Sequence, residues 1–573
     1  MIYGKPLLST WDPAAVKSWL AFCEEHHTET CARLDNVNRE LVSSLKVVDC
    51  NTGTIVQLPK GEKYVALSYV WGISSKAQTT VYTIGTAIGD VPKLIIDAME
   101  VARELRSPYL WVDRYCINQK DDNEKSCLIE NMDVVYQSAR LTIITASTAD
   151  ATEGLPGTAG TLRIPNTGLP VNERMSLTTI QSGDITFKIQ FSVCETQGWT
   201  YQEGLHSRRR LVFTDSEVYF QCDSGMHCFE RLHLPLHLMH EDRNSVSRFP
   251  EHLSVFRYFP LNGIGTDASD IHTRISDYSL WHLTYPSDFL DAFKAILNTF
   301  AKCTSDPAFN FWGLALIPSA GLRYSLAAGL LWSTHDNTIH ELRRRWEFPS
   351  WSWLGWTTGR SPDLFYKPYQ IDSLSSCHPK ITGVEAHVSS SDQRPVTFEE
   401  LIEEARSGVD LRRFGSAITI TAWTTPFDLT CDFDDTPAWL TALVHRTWEA
   451  PVTAGDTAAS GKTSNMISEI LNVYAVMLVQ EVRTGENFAA KGDYDEIQRR
   501  ERECEEGTSG LECLIARNIQ RDPNRFQRIG LVYWRVDGKC IFVGMADVMT
   551  YTGYFDPSPK VQRRFARRTL ELV

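Results

Sequence analysis

The chain reads as an α/β protein, with a parallel sheet flanked by helices in its N-terminal half and a β-rich accessory region at its C-terminal end. Three observations predict this. Between residues 64 and 146, short apolar runs alternate with amphipathic stretches, the pattern of a βαβαβ series. Ala417–Leu429, Val473–Val482 and Arg528–Val543 alternate apolar and polar residues as antiparallel strands do, with Asp537-Gly538 as a hairpin turn. A length of 573 residues also exceeds what one core accommodates, so two or three domains are expected.

Taken in order, Pro13–Cys23 is expected to be helical, and Leu41–Asp49 leads into a hairpin around Asn51-Thr52-Gly53. The first clear strand is Tyr64–Trp71. The helix Pro92–Leu105 follows, with Ile95, Ala98, Met99, Ala102 and Leu105 on one face and Pro92 in its first turn. A second strand, Tyr109–Asp113, precedes a helix whose Asp121 and Glu124 have capping-box spacing, and whose inward stripe is Leu128, Met132, Val135, Tyr136 and Ala139. Leu141–Ala146 closes the series. Strand ends after Trp71 and after Asp113 then open on one rim, where ligands of open α/β sheets bind. Asp113, Arg114, Cys116, Asn118 and Gln119 crowd that position.

Beyond the series, residues 150–190 are loop-rich. The glycine cluster at 154–160 lacks the preceding strand and following lysine of a phosphate loop, and reads as a turn. Trp199–Glu203 is expected as a short helix, Arg210–Cys222 as a hairpin, and Asp288–Phe300 and Phe311–Leu316 as helical. Trp351 and Trp353 alternate as on a strand and are assigned to a core. Residues 388–396, 450–465 and 496–510 have loop composition. The resulting division is an N-terminal extension (1–60), an α/β core with an insertion (61–225), a mixed helical and tryptophan-rich extension (226–414) and the β-rich region (415–573).

Apolar residues make up 43% and charged residues 22%, which fits a soluble globular chain. A net charge of −14 argues against nucleic acid, and the triplets Arg208–Arg210 and Arg343–Arg345 read as solvated or phosphate-facing edges. The longest apolar stretch, Tyr324–Trp332, is far shorter than the roughly 20 residues of a membrane span. Fourteen cysteines without CxxC spacing, and a start lacking a basic then apolar leader, lead us to expect a reduced, cytoplasmic setting. Cys222, His227, Cys228, His233, His237 and His240 are zinc-type side chains, but their spacing fits no established pattern, and no metal site is expected.

Five blocks carry a resemblance: YVALSYVWG at 64–72, YLWVDRYCINQ at 109–119, IENMDVVYQSARLTI at 129–143, GWTYQE at 198–203 and, more loosely, FPSWSWLGW at 348–356. Together they resemble the fungal heterokaryon-incompatibility (HET) domain, over about residues 60–205. The resemblance implies a role in nonself recognition and regulated cell death, and a distant likeness to TIR domains, which are flavodoxin-like and include enzymes that cleave NAD at the nicotinamide bond. It therefore implies a TIR/flavodoxin-like sheet. It also matches Glu203, four residues after Trp199, to the catalytic carboxylate of enzymatic TIR domains. Trp71, Gly72 and Asp113 would shape the pocket, Arg114 would lie near a phosphate, and Ser68, Tyr69, Asn118, Gln119 and Trp199 would border the nucleotide. NAD enters as substrate, and no cofactor is implied.

The chemistry fits one carboxylate. Nicotinamide leaves as a neutral molecule, so the site must chiefly supply negative charge beside an oxocarbenium-like ribose. A second enzymatic reading makes Cys116 a nucleophile aided by Asp113 and a histidine such as His206, although a thiolate needs a base or a helix N-terminus to form. A non-enzymatic reading has the domain signal by assembly when a protein partner or incompatible allelic product binds, in a homo-oligomer, with the C-terminal region as sensor or cover.

Overall fold

The computed structural model describes residues 3–233 except 32–37, 72–80, 149, 166–168, 173–174, 178–183 and 193–197. It further describes 235–236, 257–260, 263–265, 267–279, 286–321, 325, 329–330, 332–335, 343–345, 347–349, 351–357, 365–368, 385–389, 395–416 and 418–426, and then 473–481, 510–518, 525–535, 540–544 and 566–572. The chain forms two units, Met1–Asp270 with Trp281–Thr299, and Ile271–Leu280 with Phe300–Val573.

The first unit is built on an eight-stranded mixed sheet. Its strands are β1 (Lys46–Asp49), β2 (Thr54–Gln57), β3 (Val65–Ser68), β4 (Tyr109–Trp111), β5 (Leu141–Thr145), β6 (Arg209–Phe213), β7 (Val218–Cys222) and β8 (His227–Phe229). Their order is β8-β7-β6-β5-β3-β4-β1-β2. The central four are parallel, with β3 between β4 and β5, and β6 beyond β5. Antiparallel hairpins complete both edges. Among the parallel strands the sequence order is 2-1-3-4, so winding reverses between β3 and β5, at the kind of switch point where ligands gather. Every residue of β3 and β5 is buried, as expected for parallel strands covered on both faces.

The helices are α1 (Pro13–His26), α2 (Lys93–Glu104), the single turn α3 (Asp113–Cys116), α4 (Asp122–Glu130), α5 (Met132–Ser138), α6 (Asp184–Gln190) and α7 (Gly198–His206). Asp12 caps α1 by accepting the N–H groups of Ala14 and Ala15, and Pro13 occupies the first turn. Leu94, Ile95, Ala98, Val101 and Ala102 bury the inner face of α2. The anticipated stripe Leu128, Met132, Val135, Tyr136 and Ala139 is buried in full.

Several local expectations need correction. The first strand is four residues long rather than Tyr64–Trp71. The second ends at Trp111, because Asp113 turns its carboxylate back onto the N–H of Arg114 at 2.6 Å and opens α3. The helix expected to run on from Asp122 is broken at Asn131, whose side-chain amide donates to the Cys127 carbonyl at 2.8 Å. Asp121 caps α4 as expected, but Glu124 bonds the N–H of Asn118 and pairs with Lys46 instead of reaching back to the cap. The triplet Arg208, Arg209 and Arg210 is buried, not a solvated edge. Its last member pairs with Asp223 at 2.9 Å and donates to the Gly204 and Leu205 carbonyls.

The glycine cluster closes on protein. Oδ2 of the buried Asp97 accepts the Leu155 N–H at 2.9 Å and the Thr161 hydroxyl at 2.6 Å. Gly154, at φ +85°, lies where a Cβ would meet that carboxylate.

In the second unit, residues 311–316 are not helical but belong to a β-hairpin, β9 (Phe309–Phe311) and β10 (Leu314–Leu316). Trp312 and Gly313 both have positive φ, 51° and 92°, which suits a tight two-residue turn and excludes a helix. Trp351 stacks on Phe311 with centroids 6.0 Å apart, and Trp353 donates its indole N–H to the Gly313 carbonyl, so both fill a core as expected. The path there is a 3-10 turn at Trp353–Gly355 rather than a strand. Strands Ile418–Pro426, Val473–Glu481, Gly510–Asn518, Arg525–Arg535, Cys540–Gly544 and Ala566–Leu572 pair with one another in a second sheet. Asp537-Gly538 and residues 450–465 lie outside the described residues. No helix among the described residues is long and apolar enough to cross a membrane.

Candidate functional site

Two strand ends and two helices meet beside the switch point. β3 ends in Ser68, which is fully buried, and Tyr69 follows, 6% exposed. Two residues past β4, Asp113 retains partial exposure. From the other side, α7 carries Glu203 into the interior, 5% exposed, and α5 brings Tyr136. The fixing of α7 against β5 is local. Ser207 Oγ donates to Thr142 Oγ1 at 2.6 Å, and Gly204 leaves room on the helix for the Phe259 ring, 3.1 Å from where a Cβ would stand.

Glu203 is the electrostatic centre of this cluster. Burial pushes its carboxyl well above the usual carboxylate range, and the negative charge of Asp113 pushes it further. The hydroxyls of Ser68 and Tyr136 bear on the same carboxyl and favour its anion. Oε2 of Glu203 and Oγ of Ser68 nevertheless make no hydrogen bond among the described residues, so the carboxyl is under-satisfied. Gln202 beside it is also fully buried, with neither amide atom hydrogen-bonded among the described residues.

Asp113 links this buried floor to a more open rim. Its Oδ2 accepts the Trp71 indole N–H at 2.8 Å and its Oδ1 the Arg114 N–H at 2.6 Å. Burial raises its pKa to about 6 despite those two donors. The Arg114 guanidinium lies 5.7 Å from the Trp71 ring centroid, within cation–π range. Burial and then the Asp113 charge hold the Tyr69 hydroxyl far from ionisation, and burial and then Glu203 do the same for Tyr136. Tyr136 also packs edge-on against Trp111, centroids 5.6 Å apart.

Ser68, Tyr69, Asp113 and Glu203 thus share one electrostatic neighbourhood, with Trp71 and Arg114 on its half-buried side. Trp199 is half-buried on the first turn of α7. Asn118 and Gln119 brace the loop after α3, where the Asn118 side chain accepts the Lys120 N–H and the Gln119 amide donates to the Asp113 carbonyl at 3.4 Å. Gly72 lies outside the described residues. Cys116 faces the sheet interior, its sulfur 3.4 Å from the Val112 nitrogen, and burial pushes its thiol up to about 12, so no thiolate forms at neutral pH. His206 is buried at the end of α7.

Sequence reasoning missed Tyr136 as a site residue. Its place in an apolar helical stripe marked it as core, which it also is. Of the six zinc-type residues, His227 turns Nδ1 to the Gly225 carbonyl, and His237 and His240 lie outside the described residues. Cys222 instead faces Cys23, His27 and Cys31.

Comparison with known proteins agrees with the blocks that build this site. Residues 64–203 match the family model described as heterokaryon incompatibility protein (HET). The chain is also 30% identical over 95 residues to heterokaryon incompatibility protein 6, OR allele, of Neurospora crassa, a stretch that is 14% of this chain and 14% of that protein. No solved structure matches. The matched segment begins at the strand that supplies Ser68 and ends at Glu203 itself. The chain is therefore a HET-domain protein, its HET domain spanning residues 64–203.

Proposed function

We propose that this protein acts in heterokaryon incompatibility, the fungal rejection of nonself after cell fusion that ends in regulated cell death, and that its HET domain acts by cleaving NAD at the nicotinamide–ribose bond. The observation that carries the enzymatic reading is the burial of Glu203 beside Ser68 and Asp113 at the carboxyl end of the central parallel strand. The 2-1-3-4 strand order supports a TIR/flavodoxin-like ancestry, and the name of the Neurospora relative supports the cellular role.

In this reaction the bond from ribose C1′ to the nicotinamide nitrogen breaks with its electron pair going to nitrogen, which neutralises the pyridinium. Water adds to C1′ and loses a proton to solvent, giving ADP-ribose and nicotinamide. Glu203 supplies negative charge beside the developing oxocarbenium ion. Burial opposes ionisation of its carboxyl, and the cationic nicotinamide ribose would favour the carboxylate on binding. Arg114, at the rim, would meet the pyrophosphate, and the Trp71 indole would stack on the substrate.

The test is nicotinamide release from NAD by the purified full-length chain, with Glu203→Gln at matched concentrations. Loss of at least about 100-fold in the variant, with unchanged folding, is the expected result. Equal release by both proteins removes Glu203 from the mechanism.

A second reading, signalling by assembly with a partner or a second copy, is favoured by one feature of α6. Ile185 and Ile189 are buried, while Phe187 and Phe191 are 58% and 67% exposed and stack on each other at 6.0 Å. Paired exposed rings are unusual on a solvated helix and suit a protein contact. Phe187→Ser with Phe191→Ser would then abolish signalling while leaving nicotinamide release intact.

A further inference from the structure

Outside the HET match, four side chains with metal-ligating atoms converge in the interior. Cys23 lies in the last turn of α1, His27 caps that helix, and Cys31 follows one turn later. The backbone bonds His27 N–H to Cys23 carbonyl, 3.0 Å, and Cys31 N–H to His27 carbonyl, 2.9 Å, continue the helical path, so the three residues stand one above another on one face. Cys222, the last residue of β7, meets them from the sheet. All four are buried, and one ligand atom from each lies within 4.8 Å of every other. Cys222 Sγ and His27 Nδ1 are 3.4 Å apart.

We propose that Cys23, His27, Cys31 and Cys222 bind one zinc ion in a closed tetrahedral site that staples the N-terminal helix to the sheet edge. Zinc–sulfur bonds of about 2.3 Å and a zinc–nitrogen bond of about 2.0 Å, at tetrahedral angles, set neighbouring ligand atoms roughly 3.5–3.8 Å apart, and here every pair lies within 4.8 Å, with Cys222 and His27 at 3.4 Å. Three sulfurs and an imidazole select zinc over magnesium or calcium, which prefer oxygen. As the three Zn–S bonds form, the thiol protons leave to solvent.

The surroundings suit a thiolate-rich centre. Arg209 donates its Nε–H to Cys23 Sγ at 3.1 Å, and Arg208 holds the Cys31 carbonyl at 2.7 Å, so buried guanidinium charge offsets the excess negative charge of a Cys3His site. Four protein ligands leave no open position, which makes the role structural. Cys23, His27 and Cys31 precede the HET match and Cys222 follows it, so the ion would tie the two flanks of the domain together. The site is independent of the chemistry proposed for Glu203.

The experiment is metal analysis of the full-length chain purified under reducing conditions without chelators. About one zinc per chain is expected. Cys31→Ser and Cys222→Ser should each retain less than a tenth of it, while Cys127→Ser, at an exposed cysteine outside the cluster, keeps all of it. Should the first two variants fail to fold, the unmodified chain still decides: exchange with Co2+ must give intense d–d bands of a tetrahedral site together with sulfur-to-cobalt charge transfer. Three results overturn the proposal: a reduced chain that takes up no Zn2+, an intact mass short of two hydrogens that marks a disulfide within the cluster, or full zinc content in a folded Cys222→Ser variant.

Discussion

Trp71 Nε1 donates a 2.8 Å hydrogen bond to Oδ2 of Asp113, and this bond ties together the chain segments that leave two neighbouring parallel strands, β3 and β4. It sets the charge balance of the cluster, because an indole donor favours the carboxylate while burial opposes it. Asp113 then bears directly on Glu203, whose carboxyl is raised first by its own burial and next by that charge.

Removing the indole donor should therefore raise the Asp113 pKa above about 6. A charged hydrogen bond of ordinary strength corresponds to a shift of about one to two pH units. Trp71→Phe keeps the ring and deletes the donor. The Asp113 carboxyl resonance, followed by NMR against pH, should move its midpoint to higher pH. An unmoved midpoint would mean that the bond does not tune Asp113.

Glu203 should lower stability as pH rises. Its pKa is raised in the folded state, so the native protein holds the proton more tightly than the unfolded chain does. Stability is therefore lost as pH climbs from the normal carboxylate range toward the folded pKa, and the full penalty is present above it. Glu203→Gln removes the titration. Its melting temperature should match that of the parent near pH 4 and exceed it at pH 8, the difference corresponding to about 1–3 kcal/mol. A variant less stable than the parent at pH 8 would contradict this.

How much of the arrangement was legible in sequence follows from what each signal measures. Periodicity located β3, α2, β4 and β5, because a buried strand and an amphipathic helix each declare themselves within a dozen residues. Asp113 was visible for the same reason, as a polar residue just past an apolar run. The proximity of Glu203 to Ser68 was not, since it depends on packing across 134 residues of intervening chain and on the Ser207–Thr142 bond seating α7 on β5. The cysteine and histidine cluster was half legible. Cys23, His27 and Cys31 repeat every four residues, a spacing that places them on one helical face, whereas the fourth member comes from 191 residues further on. The hairpin at 309–316 was missed because positive φ at Trp312 is set by tertiary packing, not by residue preference.

For the proposed NAD cleavage, Asp113 should also set the working pH. Asp113→Asn removes the negative charge that opposes ionisation of Glu203, so the carboxylate forms at lower pH. The pH profile of kcat/KM for nicotinamide release should shift toward acid, while the same profile in the parent reports the coupled pair rather than either group alone. Loss of all activity with no shift would assign Asp113 a direct role in binding instead.

A costly single break in the first unit should lie away from the cluster, at Glu230. Its Oε2 accepts Arg163 Nη1 at 2.6 Å and the Val218 N–H at 2.7 Å, and its Oε1 accepts the Asp12 N–H at 2.7 Å. Both side chains of the ion pair are almost wholly buried, at 1% and 3% exposure. Arg163 also holds the carbonyls of Leu8 and Thr10, so one carboxylate joins the entry to α1, the loop after β5 and the start of β7. Glu230→Ala strands a buried guanidinium and should cost about 3–5 kcal/mol, measured by urea unfolding at constant m-value. Replacing both partners at once, Arg163→Met with Glu230→Leu, removes the stranded charge and should recover much of that loss. If the double variant is as unstable as Glu230→Ala alone, the hydrogen bonds to Asp12 and Val218 carry the stability, and the ion pair is incidental.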